Sequence, residues 1–161
     1  MKYHKIDSKL FVKNRNNFMS RMKKNSIAFF NSNDVYPVSA DSTLPFEQHR
    51  DIFYLSGVDQ EESVLMLCPN ASDINLREVL FLKETDDHIA VWEGPKLNKE
   101  QAFKTSGVKS VYWLDEMEKV IEQAVNGCET IYYNHNEHYR AKVEMETREE
   151  RFNKWLENKF P

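Results

Sequence analysis

A chain of 161 residues with a formal net charge of −4 has room for one domain with a proper core and not for two. Hydrophobic residues make up 40% and charged residues 30%, an ordinary balance for a soluble globular protein, and no apolar run approaches the ~20 residues of a membrane span. The cations are scattered, with only "RMKKN" (Arg21 to Asn25) as a short cluster at a helix end, which excludes the broad basic footprint of a nucleic-acid surface.

The N-terminus "MKYHKIDSKLFVKNRNNF" is charged and has no apolar h-region; without a secretory signal the expected location is the cytoplasm. Lys9 to Met22 reads as a helix with Asp7 or Ser8 as N-cap and Leu10, Asn14, Phe18 and Met22 on one face, Phe11 beside them. "SIAFFNS" (Ser26 to Ser32) reads as a short buried strand. "NDVYPVSADSTLPFEQHR" carries two prolines and no clear period, so it is expected as a loop or an irregular edge segment. "DIFYLSGV", "ESVLMLCP" and "REVLFLKE" (Arg77 to Glu84) read as three further strands, the first with Gly57 at its turn. "IAVWEG" (Ile89 to Gly94) is expected as a fifth strand, pairing with the fourth across the turn "TDDH".

"NKEQAFKTSG" predicts a short helix with Asn98 as N-cap and Gly107 past its end. A strand "VKSVYWL" follows. Asp115 and Glu118 have capping-box spacing ahead of the helix "MEKVIEQAV", which stops at Asn126–Gly127. "TIYYN" is a seventh strand candidate. From about Tyr139 to Phe160 the chain reads as a charged helix with Phe152, Trp155, Leu156 and Phe160 as its apolar stripe. A block of strands, then strands alternating with helices, predicts an α/β domain with a mixed sheet and helices on its faces. The whole chain, 1–161, reads as a single domain without internal repeat or linker.

No G-x-S-x-G, P-loop, G-x-G-x-x-G or H-E-x-x-H is present, and four glycines leave little for a phosphate-cradling loop. Cys68 and Cys128 form no C-x-x-C, each beside a strand-like segment, and are expected as buried free thiols. His135 and His138 flank Glu137 in "NHNEHYR"; two imidazoles at that spacing could share a metal, but a third ligand is needed, and a solvated turn at a strand exit is the expectation. His49, Arg50 and Asp51 could pair a general base with a carboxylate. On an extended segment, however, neighbours point to opposite faces, so a charged lead-in to a strand is expected. Trp92 either packs in or at the rim of the core, or walls a substrate pocket. Asp41 either shapes its loop or meets a cationic group of a ligand.

The stretch "SADSTLPFEQHRDIFYLSGVDQEESVLML" resembles the segment that defines the N-terminal domain of aminopeptidase P, the Xaa-Pro aminopeptidases, related to the prolidase and creatinase N-terminal domains. The matching residues are Asp41, Phe46, Gln48, the run Asp51 to Gly57, the acidic Glu61–Glu62, and Val64 to Leu67. "EVLFLKETDDHIAVWEGPKL" is similar to the family's strand, turn and W-x-G, here Trp92-Glu93-Gly94, and the likeness runs from Phe11 to about Leu156. Glu47, in place of a basic residue, and Gln60-Glu61-Glu62, in place of an E-P turn, depart from it.

The resemblance implies a mixed sheet flanked by helices, ribonuclease H-like in arrangement, of the creatinase/prolidase N-terminal type. It also implies that the chemistry lies in a separate C-terminal "pita-bread" domain absent from this chain. There two divalent ions, typically manganese, held by Asp, His and Glu side chains, activate water against the bond before proline. Hence no cofactor is expected in this chain, which alone should be inactive. The implied partners are the C-terminal catalytic domain, a homo-oligomer, and a peptide with proline in second position, without nucleic acid or membrane. Asp41 and Trp92 carry over as substrate-cleft contributors. Two alternatives are a non-catalytic peptide- or protein-binding module of the same ancestry and a self-contained metalloenzyme using His135 and His138.

Overall fold

The computed structural model describes residues 4–86, 88, 91, 94–136, 138 and 146–161. Five strands make the main sheet: β1 (Ser26–Asn31), β4 (Ser63–Leu67), β5 (Glu78–Leu82), β6 (Ser110–Trp113) and β7 (Thr130–Tyr133), in the order β6-β5-β4-β1-β7. A small separate hairpin joins β2 (Pro37–Ser39) to β3 (Ser42–Thr43). In the main sheet β1 runs parallel to β7 and β5 parallel to β6, whereas β4 is antiparallel to both β1 and β5. Four strands therefore share one direction, and their carboxyl ends lie along one edge.

Helices cover both faces, so successive residues of a central strand enter two different cores. Ile27, Phe29, Val64, Met66, Val79 and Phe81 point to one side, where α4 (Met117–Val125) and α5 (Arg148–Lys159) supply Val120, Ile121, Ala124, Phe152 and Leu156. The rings of Phe29 and Phe152 sit 5.6 Å apart there. The apolar stripe expected around Phe152 and Leu156 is thus the inward face of α5. Ala28, Phe30, Leu65, Leu67, Leu80 and Leu82 point to the other side. They meet Ile52 and Leu55 of α2 (Arg50–Ser56) and Ala102 of α3 (Lys99–Ser106). Among the described residues no helix is long and apolar enough to cross a membrane.

α1 (Ser8–Met19) begins at Asp7, whose carboxylate accepts from the Lys9 N–H at 2.9 Å. Of the expected face, Phe11 and Asn14 are buried and Phe18 and Met22 pack against the core, but Leu10 is 48% exposed and the unexpected Arg15 is enclosed in its place. Arg15 is fully buried and donates to the Leu55 carbonyl at 2.8 Å and the Ser106 carbonyl at 2.9 Å, while its Nε reaches Glu78 at 3.0 Å. One guanidinium thus ties α1 to β5 and to the carboxyl-terminal ends of α2 and α3, where unpaired carbonyls attract a cation.

"DIFYLSG" is not the expected core strand but helix α2 and its cap. Ile52, Leu55 and Ser56 are buried at helical spacing while Tyr54 faces out. Gly57 ends the helix at φ +69, its N–H bonded to the Phe53 carbonyl at 2.8 Å, the left-handed stop that glycine permits. A Cβ there would lie 2.3 Å from the Phe11 ring.

The expected strand 89–94 falls mostly outside the described residues, and Val91 within it is helical. The partners of β5 are β4 on one side and β6 on the other. The Asn98 capping box of α3 is present, but the one expected at Asp115 and Glu118 is displaced: Glu116 accepts from the Trp113 N–H at 3.0 Å. Of the helix expected from Tyr139, residues 139–145 lie outside the described residues.

Candidate functional site

The carboxyl ends of β1 and β7 open between the amino-terminal ends of α2 and α5, where open α/β sheets tend to place their polar sites. Neither His49 nor Asn134 is on a strand: one precedes α2, the other follows β7, and the fold brings them together. Asn134 Nδ2 lies 3.1 Å from His49 Nε2 and 3.2 Å from Glu149 Oε2, and His49 Nε2 lies 3.2 Å from the same carboxylate oxygen. Glu149, in the first turn of α5, also accepts from the Asn136 N–H at 2.7 Å through its other oxygen. The carboxylate therefore fastens the chain after β7 to α2 and α5 at once.

His49 is the N-cap of α2, with Nδ1 3.3 Å from the Asp51 N–H that it accepts. That arrangement fits the tautomer with its proton on Nε2, aimed at Glu149. The hydrogen bond to Glu149 raises the His49 pKa above its ordinary value, burial working against it and the Asp51 charge adding to it. For Glu149, burial alone would raise the pKa. The hydrogen bonds from His49 and the Asn136 backbone outweigh that cost, and the net direction is down.

Around this network the loops are fixed by side chains. Gln48 donates to the carbonyls of Val58 at 3.0 Å and Gln60 at 2.8 Å, and its own oxygen accepts from the His49 N–H at 2.8 Å. Asp34 accepts from the Arg148 N–H and pairs with Arg151, both at 2.7 Å, at the positive end of α5. Arg148 is half-buried, and burial pushes its pKa down while the Glu62 and Asp34 charges oppose the shift. The open space beside His49, about 560 Å³, is bordered by Asn33, Glu47, Asp51, His135 and His138.

Chemically this is a histidine–carboxylate–amide network that positions chain segments. Among the described residues His49 makes no hydrogen bond to a serine, threonine or cysteine side chain, so no nucleophile–base pair is assembled there. Nor does any group of three or more His, Cys, Asp and Glu among the described residues fit a metal ion. Of the His135/His138 pair, His135 is exposed, its Nδ1 3.8 Å from Glu149, and Glu137 lies outside the described residues.

Asp41 is exposed at the turn of the β2–β3 hairpin, after Ala40 at φ +49. It joins none of the hydrogen bonds around His49. Trp92 lies outside the described residues. Arg50 and Asp51, expected as a charged lead-in to a strand, are instead the first turn of α2. Asn134 and Glu149 went unmarked in the sequence. The only trace of them was a polar run at a strand exit and an acidic residue in the first turn of a helix.

The model of the family "Aminopeptidase P, N-terminal domain" matches residues 11–132. The chain is 28% identical over 138 residues to the Xaa-Pro aminopeptidase of Escherichia coli strain K12, covering 86% of this chain and 31% of that protein. A Bacillus anthracis structure assigned to aminopeptidase P superposes with a TM-score of 0.83 at 25% identity, over 97% of this chain and 37% of that one. The E. coli aminopeptidase P structure with the inhibitor Pro-Leu superposes with a TM-score of 0.72 at 28% identity, over 85% of this chain and 31% of that one. The chain thus spans about a third of the length of these proteins.

Proposed function

The chain belongs to the aminopeptidase P N-terminal domain family, and on that premise we propose that it is the non-catalytic N-terminal domain of a manganese-dependent Xaa-Pro aminopeptidase acting in the cytoplasm. The observation that carries the reading is the family match across residues 11–132 of a chain that spans 31% of the E. coli enzyme's length. The remaining length of such a protein accommodates a C-terminal catalytic domain holding two divalent ions. When bound, those ions supply the activated water. This chain's residues 1–161, as one domain, would then shape the approach to that centre and make oligomer contacts.

The β2–β3 hairpin favours this role. Val38 on it and Leu44 just after it are 59% and 55% exposed, with Val35 and Tyr36 before it, and neighbouring exposed apolar side chains suit burial against another surface. Asp41 at its turn would present a carboxylate to the free amino group of a peptide with proline in second position, or to a cation of a neighbouring subunit. Trp92 would form an apolar wall. The inhibitor Pro-Leu bound by the E. coli relative is a dipeptide that begins with proline, as does the fragment left when the residue before proline is removed.

The test uses the complete gene product. Asp41→Asn and Trp92→Ala are each expected to lower kcat/KM on Xaa-Pro peptides about tenfold or more, chiefly through KM, with unfolding midpoints unchanged. Unchanged kinetics in both variants would remove the substrate-cleft role. The same apolar hairpin would serve a non-catalytic binding module, which instead predicts peptide binding by calorimetry and no turnover by the complete gene product.

A further inference from the structure

Cys68 and Cys128 are 60 positions apart, yet their sulfur atoms lie 3.7 Å from each other. Both thiols turn toward one acceptor, the Ala124 carbonyl, at 3.7 Å and 3.6 Å. Cys68 follows β4 and is held in place by its N–H to the Arg77 carbonyl at 2.9 Å. Cys128 belongs to the turn between α4 and β7, just after Gly127, where a Cβ would meet nothing within 4 Å. The two differ in access. Cys68 is 1% exposed; Cys128 is half-buried and borders an open cleft of about 410 Å³ with Val125, Thr130, Leu156 and Phe160.

From this juxtaposition we propose that Cys68 and Cys128 are a peroxide-responsive thiol pair that closes into an intrachain disulfide, locking the end of β4 to the turn before β7. Neither residue belongs to the site around His49, and the proposal is independent of the peptidase reading. Peroxide reaches Cys128 first, because of the two residues only Cys128 lines the cleft and only Cys128 is partly exposed. Burial, with Cys128 beside it, pushes the Cys68 thiol up to about 12, so Cys68 is not a target by itself.

In the first step the Cys128 thiolate attacks one peroxide oxygen. The S–O bond forms, the O–O bond breaks, and the departing hydroxide takes up the thiol proton as water. In the second step the Cys68 sulfur attacks the Cys128 sulfenic sulfur. The S–S bond forms, the S–O bond breaks, and the hydroxyl leaves with the Cys68 proton as a second water. Two thiols are oxidised to one disulfide and one peroxide is reduced to two waters. The sulfurs must close from van der Waals contact to about 2 Å, a movement that the turn at Gly127–Cys128 can supply while Cys68 stays fixed in the sheet.

The test treats the purified protein with a small excess of hydrogen peroxide and follows intact mass, free-thiol titre and a non-reducing peptide map. The expected product has lost the mass of its two thiol hydrogens, has no free thiol, yields one linked Cys68–Cys128 peptide and reverts with dithiothreitol. Its unfolding midpoint is above that of the reduced protein. Cys128→Ser should leave Cys68 reduced under the same treatment. Cys68→Ser should leave Cys128 to gain oxygen or form a mixed disulfide with added glutathione. Wild-type protein in which Cys128 accumulates sulfinic acid while Cys68 remains free, or which cross-links only between chains, would overturn the proposal.

Discussion

Arg15 sits among lysines and asparagines in a sequence that gives no hint of its burial, because its partners are 40, 63 and 91 positions away. Periodicity locates a helix; it does not say which cation the fold will enclose. A buried guanidinium needs partners, and here the Leu55 and Ser106 carbonyls take one terminal nitrogen while the Glu78 carboxylate takes Nε and pairs with the other terminal nitrogen at 2.9 Å. Arg15→Ala should therefore cost about 3–5 kcal/mol, measured by urea unfolding. Arg15→Lys should recover little of it, since one ammonium cannot span both carbonyls and the carboxylate; a loss below about 1 kcal/mol would place Arg15 among ordinary surface cations.

His49 was legible as a residue of interest but not as a network member, since its partners Asn134 and Glu149 come from the other half of the chain. Its raised pKa gives a pH dependence with a definite sign. A group whose pKa is higher folded than unfolded stabilises fully below its unfolded value, near 6.5, and loses that contribution as pH rises through the folded value. Glu149 has the opposite shift, so its contribution stands above its unfolded value and fades in acid. The midpoint of wild type minus His49→Asn, a variant that keeps an N-cap acceptor, should shrink as pH climbs from about 6 toward about 9. A flat difference across that range would mean that the imidazole charge is not engaged.

At the scale of elements, most strands and the helix after Asn98 were legible because burial on both faces leaves continuous apolar runs, and because Asn98 and Gly107 mark their helix plainly. "DIFYLSG" was not. Phenylalanine, tyrosine and isoleucine favour strands, and six or seven residues are too few for a helical period to declare itself. What decides it is tertiary: Ile52 and Leu55 both fill the core under α1. Gly57 then carries two constraints, a left-handed backbone and the Phe11 ring against its face. Gly57→Ala should cost about 2 kcal/mol or more. Gly127→Ala, equally left-handed but open around its Cβ position, should cost about 1–2 kcal/mol, the backbone share alone. Equal losses in denaturant melts would show that the Phe11 ring gives way without cost.

At the scale of the whole molecule, four co-directional strands with the antiparallel β4 among them set a polar edge where β1 and β7 end. The chain's one extensive histidine network, among the described residues, lies there without a nucleophile or a metal-binding group. The family was legible in the sequence because its signature sits in contiguous stretches. The reason for that signature was not: Gln48 staples two loops, and Gly57 stops a helix against Phe11. A signature made of staples and caps holds this domain's own fold together. For the proposed function, the most direct test compares hydrolysis of Xaa-Pro peptides by purified 1–161 with that by a protein in which it is joined to the proposed catalytic domain, both loaded with manganese. Turnover by the joined protein and none by 1–161 is the expected result; turnover by 1–161 alone would contradict the central claim.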